Sequence, residues 1–214
     1  PAHLEVSTIE QPVAAGLITG SDQVCQGQTG VIYSVQPIEN ATAYNWILPV
    51  GADIISGSNT NSITLSFSNT AMTGTLSVFG SNMCGLGTMS TPFLVNVSEI
   101  PLIIIQPESP PAIYQGSGNA SISVQASGSG LTYQWQEYIT SWTDLNENEM
   151  YSGVQNDSLL IVNPVVSMNG YRYRCVIDGQ CEPQTITDGV ATLTVLLPVG
   201  ISVNTNKIGL LAYP

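Results

Sequence analysis

The chain has 214 residues, enough for one or two domains, and only 8% of them are charged, against about a quarter in an average globular protein. Its formal net charge of −12, with three Lys and Arg in total and a pI near 4.1, sets it against nucleic acid and anionic lipid. Its longest apolar runs, Leu102–Ile105 and Val195–Leu197, are strand-sized and far short of the ~20 residues of a membrane-spanning helix.

Residues 1–11 place Leu4, Val6 and Ile9 in imperfect alternation with polar residues and read as the end of an upstream domain or a linker. His3 is the one histidine; without convergent partners it is a linker residue rather than a ligand or base. No charged-then-apolar leader opens the chain, and Pro1 starts in mid-pattern, so an excised or processed piece is expected.

One β-sandwich is expected from Pro12 to Ser98, beginning with Gly16-Leu-Ile-Thr-Gly20. Cys25-Gln-Gly27 precedes a strand at Val31–Val35, and Tyr44-Asn-Trp46 lies on the next with Trp46 inward. Leu48–Gly51 is a turn, and Ile63–Phe67 alternates. Thr75–Phe79 leads into a Gly-rich hairpin at Cys84–Gly87, and Phe93–Val97 closes the domain. No sustained 3.6-residue apolar period occurs, so no helix is expected.

The layout repeats from 99 to 197. Leu102–Ile105, Ser121–Gln125, Leu131–Trp135, Leu159–Ile161, Tyr171–Ile177 and Ala191–Val195 are strand segments, and a polar loop opens at Ser141–Asp144. In the Tyr171 segment, Tyr171, Tyr173 and Cys175 alternate with Arg172 and Arg174, the pattern of one buried and one wet face. The two arginines read as exposed positions that offset nearby acids. Asp178-Gly179 signals a tight turn. Tyr44-Asn-Trp46 matches Tyr133-Gln-Trp135, Gly74 matches Gly170, Cys84 matches Cys181, and Cys25 matches Tyr114. A period of roughly 90 residues is one sandwich domain.

Gly16–Gly20, Val24-Cys-Gln-Gly27, Tyr44-Asn-Trp46, Leu48–Gly51 and Asn82-Met-Cys-Gly85 together resemble the PKD-like repeats of secreted bacterial surface proteins. Leu131–Trp135, Tyr171–Cys175 and Ala191–Val195 resemble the Ig-like repeat that often follows, with Tyr173 two residues before Cys175 in the manner of a tyrosine corner. The tail from Leu197 to Tyr213-Pro214 resembles the run-in to the C-terminal sorting domain of type IX secretion substrates, which opens Tyr-Pro-Asn-Pro; the Asn-Pro is missing here. These resemblances imply an all-β chain of two tandem antiparallel sandwiches, PKD-like at 12–98 and Ig-like at 99–197. Residues 198–214 would lead to a missing sorting domain. They imply a spacer or adhesion module, extracellular or on the outer cell surface, with no catalytic residues to carry over.

The four cysteines suit an oxidising compartment. Cys25 and Cys84 fall where the ends of a sandwich are expected to meet. A bond there closes a loop of roughly 60 residues and is worth about 2–4 kcal/mol; free thiols are the alternative. Tyr114 replaces a partner for Cys181, and Ile122 and Val124 stand where an Ig partner of Cys175 would be. A Cys175–Cys181 bond across one hairpin is expected, with two buried thiols as the alternative.

Trp142, beside the polar loop, is the candidate for stacking on a sugar; covering the core is the plainer reading. Asp144, Asn146, Glu147 and Glu149 offer oxygens for Ca²⁺, which takes six to eight. Their spacing fits no EF-hand and lacks a turn glycine, so a solvated loop and no cofactor is the competing reading. Asp157-Ser158-Leu159 fits a three-residue O-glycosylation pattern at Ser158. Acids confined to loops do not build the carboxylate pair of a glycosidase, and His3 alone supports no Ser-His-Asp set. The chain is therefore expected not to be an enzyme. Its expected partners are neighbouring repeats of the same polypeptide, a surface glycan or protein, or a second copy through strand addition by residues 3–10 or the tail. Neither nucleic acid nor membrane insertion is expected. An accessory, carbohydrate-binding region of a secreted hydrolase is the main alternative.

Overall fold

The computed structural model describes residues 8–198. Among them the alternating segments form strands, and the helical content is one 3-10 turn at Val166–Met168. The chain divides into two compact units. One runs to Leu102 and takes in Ala126–Thr132 and Ile177–Thr185; the other comprises Ile103–Gln125, Tyr133–Val176 and the chain from Ile186 onward.

The first sandwich is built from β1 (Gln23–Cys25), β2 (Thr29–Ser34), β3 (Ala43–Ile47), β4 (Ala52–Ser56), β5 (Ser62–Phe67), β6 (Gly74–Asn82), β7 (Gly85–Leu86) and β8 (Phe93–Ser98). Its sheets run β2-β5-β4 and β1-β8-β6-β3, with β7 on β6. Strand β5 shows why it folds: Ile63, Leu65 and Phe67 are buried while Thr64 and Ser66 between them are not. Val31 and Tyr33 of β2, Leu76 and Val78 of β6, Val95 of β8 and Val24 of β1 meet them in one core. Each fully buried side chain of this size contributes about 1.5–3 kcal/mol. The Tyr33 hydroxyl donates to the Ser21 carbonyl at 2.8 Å. Burial, with the Asp22 charge nearby, pushes its pKa up to about 12.

Three details depart from the expected sandwich. Trp46 is only half-buried and packs at the margin of the core, its Nε1–H donating to the Thr60 carbonyl at 3.0 Å. The turn at Leu48–Gly51 leads directly into β4, whose exposed Asp53 and Ile55 flank a half-buried Ile54 and hide the period. Gly51 takes φ +81° there, and a Cβ on it would lie 2.6 Å from Ala71 Cα. Strands β1 and β8 pair in parallel, which the long sequence between them permits.

The remaining strands are β9 (Leu102–Ile105), β10 (Ile113–Tyr114), β11 (Ala120–Ser123), β12 (Gln125–Ser127), β13 (Thr132–Tyr138), β14 (Trp142–Asp144), β15 (Tyr151–Ser152), β16 (Ser158–Ile161), β17 (Arg172–Asp178), β18 (Thr185–Ile186), β19 (Ala191–Thr192) and β20 (Val195–Leu196). One sheet orders β11-β16-β15 and another β14-β13-β17-β18, with β19 also on β17; β10 pairs in parallel with β20, and β12 pairs with β9. Ile122, Trp135, Leu159, Ile161, Tyr173, Cys175 and Leu193 are fully buried. Trp135 donates its Nε1–H to the Asn156 carbonyl at 2.9 Å. Tyr173 departs from the expected corner: its hydroxyl lies 3.2 Å from that of Tyr151, which donates to Glu137 Oε2 at 2.7 Å. Burial raises the pKa of both tyrosines. The tight turn at Asp178-Gly179 does not form, because β17 ends at Asp178 and β18 begins only at Thr185.

Residues 8–10 are exposed and form no strand. The rest of the expected segment 3–10, His3 with it, and the tail beyond Pro198 lie outside the described residues.

The two tryptophans separate core from margin. Trp135→Ala is expected to cost about 3–5 kcal/mol, and Trp46→Ala clearly less, in urea unfolding followed by far-UV circular dichroism. Equal losses would contradict this core assignment.

Candidate functional site

Alternation along β17 turns Tyr173 and Cys175 inward and leaves Arg172 and Arg174 on the opposite face. Strand β14 pairs with β13 so that Trp142 faces Tyr138 and Asp144 faces Gln136. These outward side chains form a ladder. The Arg172 guanidinium carbon lies 4.3 Å from the Tyr138 ring centre and 5.7 Å from that of Trp142. The Arg174 guanidinium carbon lies 4.4 Å from the Trp142 ring. The two rings are 5.2 Å apart and tilted by 58°. Arg174 donates its Nε–H to Gln136 Oε1 at 2.6 Å, and Gln136 Nε2 donates to Asp144 Oδ1 at 2.7 Å. Each such stack is worth about 0.5–1 kcal/mol at an exposed site and more when desolvated.

Trp142 is thus half-buried among guanidiniums rather than presented as an open platform or laid over the core. Gly189, at φ +71°, lets the indole lie against the backbone; a Cβ there would meet Trp142 Cζ2 at 2.6 Å. The arginines do more than offset acids, since the ring faces are what they touch. The alternation of Tyr171–Cys175 shows that they share a face; that Trp142 joins them depends on β14, which the polar composition of the loop obscures.

The acidic loop is organised by its own backbone. Asp144 accepts from Gln136. Glu147 Oε1 accepts from the Val154 N–H at 2.9 Å, and Asn148 Oδ1 from the N–H groups of Met150 and Tyr151 at 2.8 Å each. Asn146 and Glu149 are exposed. Among the described residues no group of three or more His, Cys, Asp or Glu converges as metal ligands. Ser158 opens β16, half-buried, with its Oγ 3.3 Å from that of Ser121.

The cysteine pairings differ from both expected bonds. Cys25 is bonded to Cys181, across a sequence separation of 156, while Cys84 is an exposed thiol and Cys175 a buried one. The register shows why Cys25 cannot reach Cys84. Gly74 of β6 pairs with Val95, and Cys25 pairs with Ser98, so Cys25 lies at the Gly74 end of β6. Cys84 lies past Asn82 at the other end, roughly 27 Å away at strand rise, far beyond disulfide reach. There its carbonyl accepts from Gln11 Nε2 at 3.1 Å. Cys175 is held inside its sandwich by the alternation of β17, its N–H donating to Thr187 Oγ1 at 2.8 Å. Burial pushes its thiol up to about 12, so it supplies almost no thiolate at neutral pH.

In the first unit a cleft of about 650 Å³ lies beside the Cys25–Cys181 bond. Its amides already serve the backbone: Gln28 Oε1 accepts from the Cys25 N–H at 2.8 Å and Gln26 Nε2 donates to the Ala71 carbonyl at 3.1 Å. No helix of the described residues is long and apolar enough to cross a membrane.

Residues 11–95 match the family model of a PKD-like domain. Among solved structures, the chain is similar to the N-terminal eight Ig domains of Down Syndrome Cell Adhesion Molecule, at 16% identity over 84% of this chain and 24% of that one, with a TM-score of 0.56. It is also similar to two structures of a titin I-band fragment, at 16% and 18% identity, 88% of this chain, and TM-scores of 0.51 and 0.53. The chain spans 64% of the length of those titin fragments. At such identities the likeness shows the fold: all-β, with PKD-like and Ig-like sandwiches. No curated protein matches the sequence.

The two thiols should behave differently. Iodoacetamide at neutral pH is expected to modify Cys84 in the native protein and Cys175 only after unfolding; fast native labelling of Cys175 would contradict its burial. Protonation gives a second check. Cys175 and Tyr33 are raised from 9.0 and 10.0 to about 12, so the folded state holds protons that the unfolded chain releases. Their contribution is complete below about pH 9 and is lost as pH climbs toward 12. Denaturant unfolding between pH 7 and 11 should show stability falling above about pH 9; a flat profile would contradict it.

Proposed function

We propose that residues 12–98 and 99–197 are successive repeats of a larger bacterial protein carried to the cell surface, with the tail leading to a type IX sorting domain. Their work is to extend and attach, without catalysis. Domains of these two kinds are typical of extracellular spacer and adhesion modules. Their partners on this reading are neighbouring repeats of the same polypeptide and a ligand on another surface.

The observation that carries this reading is the bond between Cys25 and Cys181, 156 positions apart. Such bonds persist in oxidising, extracellular surroundings. It encloses most of both expected repeats in one covalent loop, so that a pull on the chain ends bypasses their strands. The buried polar groups support the same reading because they serve structure: Ser90 Oγ accepts from the Val78 N–H at 3.1 Å and Thr187 Oγ1 from Cys175.

Single-molecule pulling from both ends tests the spacer role. Without reductant, stretching should release only the segments outside the loop. Reductant should add about 510–560 Å, since each extended residue spans about 3.3–3.6 Å. Full-length extension without reductant would contradict the reading. Turnover of a protein or polysaccharide that survives repurification and is lost in Asp144→Asn or Glu147→Gln would overturn it.

A further inference from the structure

The chain carries three basic residues against fifteen acidic ones, and two of the three, Arg172 and Arg174, stand side by side on the outer face of β17. Both guanidinium carbons lie over the ring faces of Tyr138 and Trp142. A stacked guanidinium keeps its in-plane N–H groups for a planar acceptor such as a carboxylate. Arg174 directs its Nε–H to Gln136, itself held by Asp144, which fixes the direction of its remaining donors. Less rotamer entropy is lost on binding when the side chains are already held.

We propose that this face is a docking surface for an extended acidic protein segment that presents two carboxylates two residues apart, one to each arginine. The proposal rests on the adhesive reading above and names the chemistry of the partner. The spacing argues for the occupant. Residues i and i+2 of a strand lie roughly 6.6 Å apart, and the same interval separates alternate side chains of an extended partner laid along β17. The surface is a sheet face on which both arginines stay part-exposed, which suits an extended segment better than a compact ligand. The charge of −12 disfavours a dense polyanion, but screening over about 8 Å at physiological salt lets a local pair of arginines act on two carboxylates.

The test follows the Arg Nε–H resonances of the ¹⁵N-labelled full chain during titration at about 0.15 M salt. The probe is acetyl-Ser-Glu-Ser-Glu-Ser-amide; controls carry Gln for Glu, or the two Glu adjacent. Both arginine resonances are expected to shift along one saturating curve with the probe. The Gln peptide should leave them in place, and the adjacent-Glu peptide should bind about fivefold more weakly. Arg172→Gln with Arg174→Gln should abolish binding, and the paired Lys replacements should weaken it. Should the double Gln variant fail to fold, the peptide series on the native chain still decides. Equal shifts with the Gln peptide, no shifts at millimolar probe, or tighter binding of sodium polygalacturonate at equal carboxylate would each overturn the proposal. The pulling experiment is unaffected by any of these, so the spacer reading stands or falls separately.

Discussion

The bond between Cys25 and Cys181 is the constraint on which the arrangement of the first unit turns. It holds residues 177–185 within a unit whose main segment ends at Leu102. Non-covalent contacts gather around it: the Gln180 N–H donates to the Ser129 carbonyl at 2.9 Å, Ser98 Oγ to Gln180 Oε1 at 3.2 Å, and the Glu99 N–H to Ser129 Oγ at 2.9 Å. Closing so long a loop removes about 5 kcal/mol of chain entropy from the unfolded state. That is comparable with the whole stability of a typical domain, about 5–15 kcal/mol. A protein with so few charges, and no sustained helix among its described residues, gains its stability from strand alternation and from this bond.

Much of the fold is legible because alternation is a local signal. Ile63–Phe67 and the Tyr171 segment announce strands by alternation, and Leu102–Ile105 and Leu159–Ile161 by short apolar runs, and each is one. Trp135 is legible too, since a large aromatic on a central strand has few places to go but the core. What is not legible is set by partners distant in sequence. Strand β4 carries no alternation to read, and the parallel pairing of β1 with β8 leaves no local mark. Asp178-Gly179 has the composition of a tight turn, yet the chain runs on to Thr185, with Cys181 drawn to Cys25 on the way. The cysteines fail for the same reason: matching repeats shows which positions correspond, but only the register shows which end of a strand each occupies.

The surface chemistry follows one logic. With charges scarce, the described arginines are set on aromatic rings rather than scattered in solvent, and the loop acids Asp144 and Glu147 accept hydrogen bonds from their own surroundings. Trp142 was legible as a surface aromatic but not as a member of a stack, because its neighbours come from β13 and β17 and from Gly189.

The central claim is that the disulfide joins positions separated by most of the described chain. Non-reducing digestion of the native protein followed by mass spectrometry tests it most directly. A peptide containing Cys25 should be found linked to one containing Cys181, and both Cys84 and Cys175 should be recovered as thiols. Fragments linking Cys25 to Cys84, or Cys175 to Cys181, would contradict the account and return each bond to its own repeat.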